Sequence, residues 1–165
     1  MIIRIAGTVN DSIVDGPGFR FTVFAQGCAH GCEGCHNPET HDVSGGREIN
    51  TQEIIDAMAA NPLLDGLTLS GGEPFLQPEP CTALARAAHG LSLNVWVYTG
   101  YTFEDLCSMG DAKISELLAN CDVLVDGKFQ LPQRTLELRF RGSRNQRLID
   151  VKASLSAGHA VEYAL

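Results

Sequence analysis

Short apolar runs alternate with Ala- and Leu-rich stretches along this chain, and Gly, Pro, Asn and Asp separate them. Ile2 to Val9 reads as a first short strand. Phe19 to Phe24 (Phe-Arg-Phe-Thr-Val-Phe) is aromatic and β-branched, which suits a pleated surface and predicts a second. Between them, Asp15-Gly16-Pro17-Gly18 has the residues of a tight turn. After a polar loop, Asn50-Thr-Gln-Glu53 has the pattern of a capping box. The helix it opens runs to about Ala60, with Ile54, Ile55 and Met58 on the apolar face. Leu67 to Ser70 predicts a strand ending in Gly71-Gly72-Glu73-Pro74. Glu79 to His89 is Ala-rich and helical, and Gly90 stops it. Leu91 to Tyr98 predicts a strand broken by Thr99-Gly100. Thr102 then caps a helix through Leu106, with Asp105 three residues on. Ala112 to Ala119 is helical, and Cys121 to Val125 is a strand ending at Asp126-Gly127. Leu136 to Phe140 and Leu148 to Val151 predict further strands, and the tail from Ala153 is weakly specified.

Strands alternating with helices imply βαβ units, an α/β class and a mainly parallel sheet. About six strands with few helices, about three of them full, are too few for a closed eight-fold barrel, so a partial, open barrel is the expectation. Ligands of such sheets sit at the C-terminal strand ends. Cys28–Cys35, Gly71–Pro74, Thr99–Tyr101 and Asp126–Gly127 each follow a predicted strand, which gathers them on one sheet edge. A length of 165 residues, with no repeat or linker, predicts a single domain over residues 1–165.

Charge narrows the function classes. Lys and Arg number 12 against 20 Asp and Glu, a net charge of −8. No basic excess is present to neutralise phosphates or to adhere to anionic lipid. No apolar run reaches the roughly 18 residues that span a bilayer. The N-terminal apolar stretch is broken early by Asn10-Asp11, unlike an export signal, so a cytoplasmic protein is expected.

The candidate chemistry lies in the cysteines. Of 6 in the chain, Cys28, Cys32 and Cys35 fall in one Gly-interleaved segment, spaced CxxxCxxC. Short gaps let the sulfurs of a tight loop converge on one centre, and thiolates suit zinc or an iron–sulfur cluster. Structural zinc needs a fourth ligand, from His30, His36 or a distant Cys, and no second CxxC pair exists. The ligand count therefore favours a [4Fe–4S] cluster, leaving one iron without a protein ligand and open to substrate. Cys81, Cys107 and Cys121 read as small buried hydrophobes. His30, His41, His89 and His159 have no evident partner in the sequence and read as structural.

The cysteine spacing after an early strand, with Gly71-Gly72-Glu73-Pro74 after a later one, resembles the radical S-adenosylmethionine (radical SAM) enzymes. Asp15-Gly-Pro-Gly-Phe-Arg20, Cys35-His36-Asn37, Tyr98-Thr-Gly-Tyr101, Val125-Asp-Gly-Lys-Phe129 and Phe140-Arg-Gly-Ser-Arg-Asn-Gln146 are similar to one branch. That branch activates anaerobic ribonucleoside-triphosphate reductase. The resemblance implies an incomplete radical-SAM TIM-like barrel. It also implies a [4Fe–4S] cluster on Cys28, Cys32 and Cys35, and S-adenosylmethionine at the open iron. The implied reaction is reductive cleavage to a 5′-deoxyadenosyl radical that takes hydrogen from a glycine of the reductase.

Further cofactor contacts implied are Gly34, His36, Asn37, Gly71, Gly72, Glu73, Pro74, Thr99 and Asp126. Gly71 and Gly72 would present backbone to the methionyl group, with Glu73 pairing the same cation or bracing the loop. Gly34 stands where relatives often carry an aromatic residue, so His36 is the candidate to cover the adenine. The bland readings are a strand-to-helix turn at Gly71–Pro74, a strand end at Thr99, a turn at Asp126, and solvated surface for Arg139, Arg141, Arg144 and Arg147. Docking of an acidic partner surface is the sharper reading of the arginines. A flavodoxin or ferredoxin is the implied electron donor. The competing functions are an activase of another glycyl-radical enzyme (pyruvate formate-lyase type), a small-molecule radical enzyme, and a non-catalytic iron–sulfur carrier or zinc module.

Overall fold

A computed structural model describes residues 1–165. Its centre is a seven-stranded sheet with five α-helices. The strands are β1 (Ile2–Ser12), β2 (Arg20–Ala25), β3 (Arg47–Asn50), β4 (Gly66–Gly71), β5 (Asn94–Tyr98), β6 (Val123–Asp126) and β7 (Arg147–Asp150). Their order across the sheet is β3-β1-β2-β4-β5-β6-β7. Strands β2, β4, β5 and β6 run parallel, and β1, β3 and β7 join antiparallel at the two sides. The helices are α1 (Thr51–Ala59), α2 (Pro78–Gly90), α3 (Phe103–Ser108), α4 (Ala112–Ala119) and α5 (Val151–Ala157).

Strand period two divides the sheet faces. Phe21 and Val23, Leu67 and Leu69, Val95 and Val97, and Leu124 enter one core of 25 buried residues. That core also takes Ile54 and Met58 from α1, Leu84 and Ala88 from α2, and Leu117 and Leu118 from α4. Burying a Leu- or Val-sized side chain contributes about 1.5–3 kcal/mol, so this face holds most of the stabilisation. The alternate positions face the other way. There Trp96, Val123, Val125 and Leu148 form a small cluster, while Phe24, Ser70 and Tyr98 line a cavity.

Several local expectations change. The segment 136–140 is not a strand: Leu136 is 91% exposed, and Phe140 has φ +64, outside any strand conformation. Arg47–Asn50, the end of the expected polar loop together with the helix cap Asn50, is edge strand β3. Its pairing with β1 creates it, since its own side chains are mostly exposed. Only the four central strands are parallel, and β3 and β7 do not pair, so the sheet is open. Strand β5 starts at Asn94 because α2 runs to Gly90 and Ser92 turns the chain at φ +61. Cys121 lies just before β6, and Val151 opens α5 rather than ending β7. The tail is specified after all, because Asp150 caps α5 through Ala153 N and Gly158 ends it. At α1, Asn50 alone caps, accepting from Gln52 N, whereas Thr102 and Asp105 form a full capping box at α3. No helix is long and apolar enough to cross a membrane.

Candidate functional site

Four loops leave the C-terminal ends of β2, β4, β5 and β6 and meet around one cavity of about 860 Å³. Cys28, Cys32, Cys35, His36 and Asn37 line it from the first loop, Gly71 and Gly72 from the second, Thr99 and Gly100 from the third, and Gly127 from the fourth. The parallel register delivers them together, because strands in step end at the same sheet edge. The expected convergence of these segments is thus present.

The cysteine loop is tied to the fold at both ends. Gly27 N donates to Thr40 O at 2.7 Å and Cys28 N to His41 O at 3.2 Å. Glu73 N donates to Gly27 O at 2.8 Å, which joins this loop to the Gly71–Gly72 turn. The contact is backbone on backbone. A Cβ on Gly72 would stand 2.3 Å from Gly27 O, and Gly71 adopts φ +90. Both facts require glycine, independently of any ligand.

All three cysteines are free thiols and half-buried, and Asn37 N donates to Cys35 Sγ at 3.4 Å. Burial pushes the Cys28 thiol up, and nearby Glu73 adds to the effect. No group of three or more His, Cys, Asp and Glu side chains is gathered tightly enough for a single ion. Cys28, Cys32 and Cys35 all line the one cavity, and because each thiolate of a polynuclear cluster binds a different iron, the three need not close on a single ion. The donor set fits a [4Fe–4S] group on three sulfurs better than tetrahedral zinc.

Other candidates separate into lining and bracing residues. Thr99 lines the cavity, but its hydroxyl donates to Glu73, at 2.9 and 3.0 Å from the two carboxylate oxygens. Glu73 and Pro74 are buried behind the wall. Gly34 lies outside the lining, at φ +72 with Leu131 and Phe129 behind it. His36 is exposed at the cavity and packs on Phe129, with ring centroids 5.0 Å apart. Asp126 is removed from the cavity surface: Phe103 N donates to it at 2.8 Å, and Arg147 pairs with it at 2.5 Å and with Glu104 at 2.7 Å.

The arginines divide in the same way. Arg144 pairs with Glu137, Arg139 lies over the Phe140 ring, and Arg141 lines the cavity without a carboxylate partner. Arg20, fully buried, donates to Thr68 Oγ1, Asn94 Oδ1, Leu67 O and Pro17 O, and fixes the turn before β2. Burial pulls its pKa down to about 10.

Among the remaining residues, Cys81 and Cys121 are buried as expected, and burial pushes Cys81 up to about 12, which keeps it inert. Cys107 is exposed, contrary to the expectation, because it lies on the outer side of short helix α3. His30, whose sequence context shows no partner, stands in the cavity wall with Nε2 2.6 Å from Glu73 Oε2. His41, Asp15 and Tyr98 also line the cavity. Position inside the CxxxC gap was the available signal for His30; its partner, distant in sequence, was not legible.

The 4Fe-4S single cluster domain family matches residues 14–149. Curated relatives match over most of both chains. An anaerobic ribonucleoside-triphosphate reductase-activating protein of Vibrio cholerae is 39% identical over 81% of this chain and 89% of its own. Proteins of the same name are 36% identical in Enterobacteria phage T4 (82% of this chain, 86% of its own) and 34% in Escherichia coli K12 (81% and 90%). The chain belongs to the anaerobic ribonucleoside-triphosphate reductase-activating protein family. The loop from Cys28 to Cys35 lies wholly inside the matched span.

Proposed function

We propose that this chain is a radical SAM activase of anaerobic ribonucleoside-triphosphate reductase. One observation carries the reading: a three-thiol loop and a Gly-Gly turn, bonded to each other through the backbone, share one cavity at the C-terminal ends of parallel strands. Cys28, Cys32 and Cys35 hold a [4Fe–4S] cluster, and their number leaves one iron open for substrate. When bound and reduced, the cluster supplies one electron that cleaves S-adenosylmethionine into methionine and a 5′-deoxyadenosyl radical.

The protein's own share is orientation. Gly71 and Gly72 present backbone to the methionyl end, and their lack of side chains permits the approach. His36, backed by Phe129, covers the adenine, and Asn37 steadies Cys35 through its N–H. Arg141, free of any carboxylate, is the cation available to a substrate carboxylate or to an acidic group of the partner. Glu73 braces the wall. The residues named hold substrate in one geometry, which makes the transfer unimolecular.

The chain works as one domain, and its open sheet serves as an incomplete barrel. An unclosed mouth admits the glycine-bearing segment of the reductase, from which the radical removes hydrogen. A cytoplasmic setting with a flavodoxin or ferredoxin as donor completes the reading. The test is anaerobic reconstitution with iron and sulfide, then dithionite and S-adenosylmethionine, with the reductase present. Release of 5′-deoxyadenosine and a glycyl-radical resonance on the reductase are expected. A radical appearing only on a pyruvate formate-lyase-type enzyme reassigns the partner, and a reduced cluster indifferent to S-adenosylmethionine overturns the reading.

A further inference from the structure

Glu73 is 1% exposed and carries a carboxylate with four donors aimed at it. Phe75 N lies at 3.1 Å, Gly100 N at 2.9 Å, Thr99 Oγ1 at 2.9 Å and His30 Nε2 at 2.6 Å. The donors come from three separate loops: the turn after β4, the end of β5, and the gap between Cys28 and Cys32. Because a carboxylate only accepts, His30 carries its hydrogen on Nε2. The ring is held on its other sides too. Tyr101 meets it edge-on at 4.6 Å, and Gly100 has no Cβ, which would stand 2.5 Å from the ring. Glu73 itself lies behind the cavity surface that His30, Thr99 and Gly100 line, and both its oxygens are occupied by these donors.

We propose that the His30–Glu73 pair is a positioning element that fixes the cysteine loop against the two loops that seat the nucleotide. The proposal rests on the radical SAM reading above. An S-adenosylmethionine molecule that chelates a cluster iron while its methionyl end lies on Gly71–Gly72 spans both sides of this joint. A shift between the sides weakens its binding although every direct contact is still present. His30 is the single side chain of the cysteine loop that reaches Glu73, so it sets that separation without being a ligand. His30 and Glu73 are positioning residues, not catalytic ones.

The test uses the reconstituted protein with His30→Ala, His30→Gln and Thr99→Val. Glutamine places an amide N–H close to where His30 Nε2 stands and keeps the bond. Thr99→Val removes a second donor to Glu73 without touching the cysteine loop. Iron and sulfide content, the resonance of the reduced cluster, and its change on titration with S-adenosylmethionine are read in each. A hydrogen bond to a charged group lost from a buried site is a tenfold effect or about that. His30→Ala is expected to load iron and sulfide as the parent does, to show the parent resonance without nucleotide, and to need about tenfold more S-adenosylmethionine for the spectral change. KM rises by the same factor with kcat little altered. Thr99→Val moves in the same direction, and His30→Gln returns to near the parent value.

The proposal is overturned if His30→Ala titrates like the parent, if His30→Gln is as weak as His30→Ala, or if Thr99→Val has no effect. Should His30→Ala fail to load iron, Thr99→Val decides alone. A parent cluster that shows no response to S-adenosylmethionine sinks the functional reading, whereas a responsive parent matched by His30→Ala sinks the joint alone.

Discussion

Substituting Gly72 by alanine tests the joint between the two loops by steric means. Gly72 is outside the left-handed region, so alanine meets no backbone strain of its own. Its Cβ would nevertheless lie 2.3 Å from Gly27 O, 2.9 Å from Gly27 C and 3.0 Å from Thr40 O. All three atoms are backbone, and none can rotate away. Carbon and oxygen must separate by roughly 1 Å before the contact becomes ordinary. Overpacking of this kind costs about 1–3 kcal/mol. The separation also stretches Gly72 N–Ala25 O (2.7 Å) and Glu73 N–Gly27 O (2.8 Å), each bond contributing about 0.5–1.5 kcal/mol. Together the loss is about 2–6 kcal/mol, which in a chain of this size lowers the melting temperature by about 4–24 °C. Thermal melting followed by circular dichroism, on anaerobic reconstituted samples, measures it. Gly90→Ala is the control: no atom lies within 4 Å of its Cβ and it ends α2, so the melting temperature holds or rises. A Gly72→Ala protein melting within about 2 °C of the parent would refute the steric argument, because the predicted minimum shift is larger.

Other consequences are equally direct. Cys28→Ala, Cys32→Ala and Cys35→Ala should each abolish 5′-deoxyadenosine release, whereas Cys81→Ala, in the apolar core and outside the cavity lining, should retain it; chromatographic assay of the nucleoside decides. Asp126→Asn removes the buried charge facing Arg147 and one of the two oxygens that accept from Arg147 and Phe103 N, and should cost about 1.5–3 kcal/mol in urea unfolding. The same variant should leave S-adenosylmethionine binding near the parent value, and a selective loss of binding would return Asp126 to the cofactor site. The Arg147 guanidinium holds Glu104 below its ordinary 4.5, so this carboxylate stabilises the fold above that pH and ceases to as pH falls through its lowered value. The urea midpoint of Glu104→Gln should therefore trail the parent at neutral pH and merge with it in acid, in matched unreconstituted samples.

The sequence alone determined the chemistry and the central strands. Cysteine spacing is a local property, and Cys28, Cys32 and Cys35 display it within one loop that the structure brings to one cavity. Strongly β-branched runs such as Phe21–Val23 and Val95–Val97 declare buried strands in the same way, and Thr102 with Asp105 declares a helix start. Tertiary structure decided whatever depends on a partner distant in sequence. Arg47–Asn50 becomes a strand because β1 offers an edge, and 136–140 does not because no edge is offered and Phe140 turns the chain. The partners of Glu73, Asp126 and His30 were decided likewise. A carboxylate reads alike in sequence whether it faces a ligand or a neighbouring loop, and only packing shows that Glu73 is occupied by His30 and Thr99, and Asp126 by Arg147. A buried polar group must find its donors somewhere, and the fold alone specifies where.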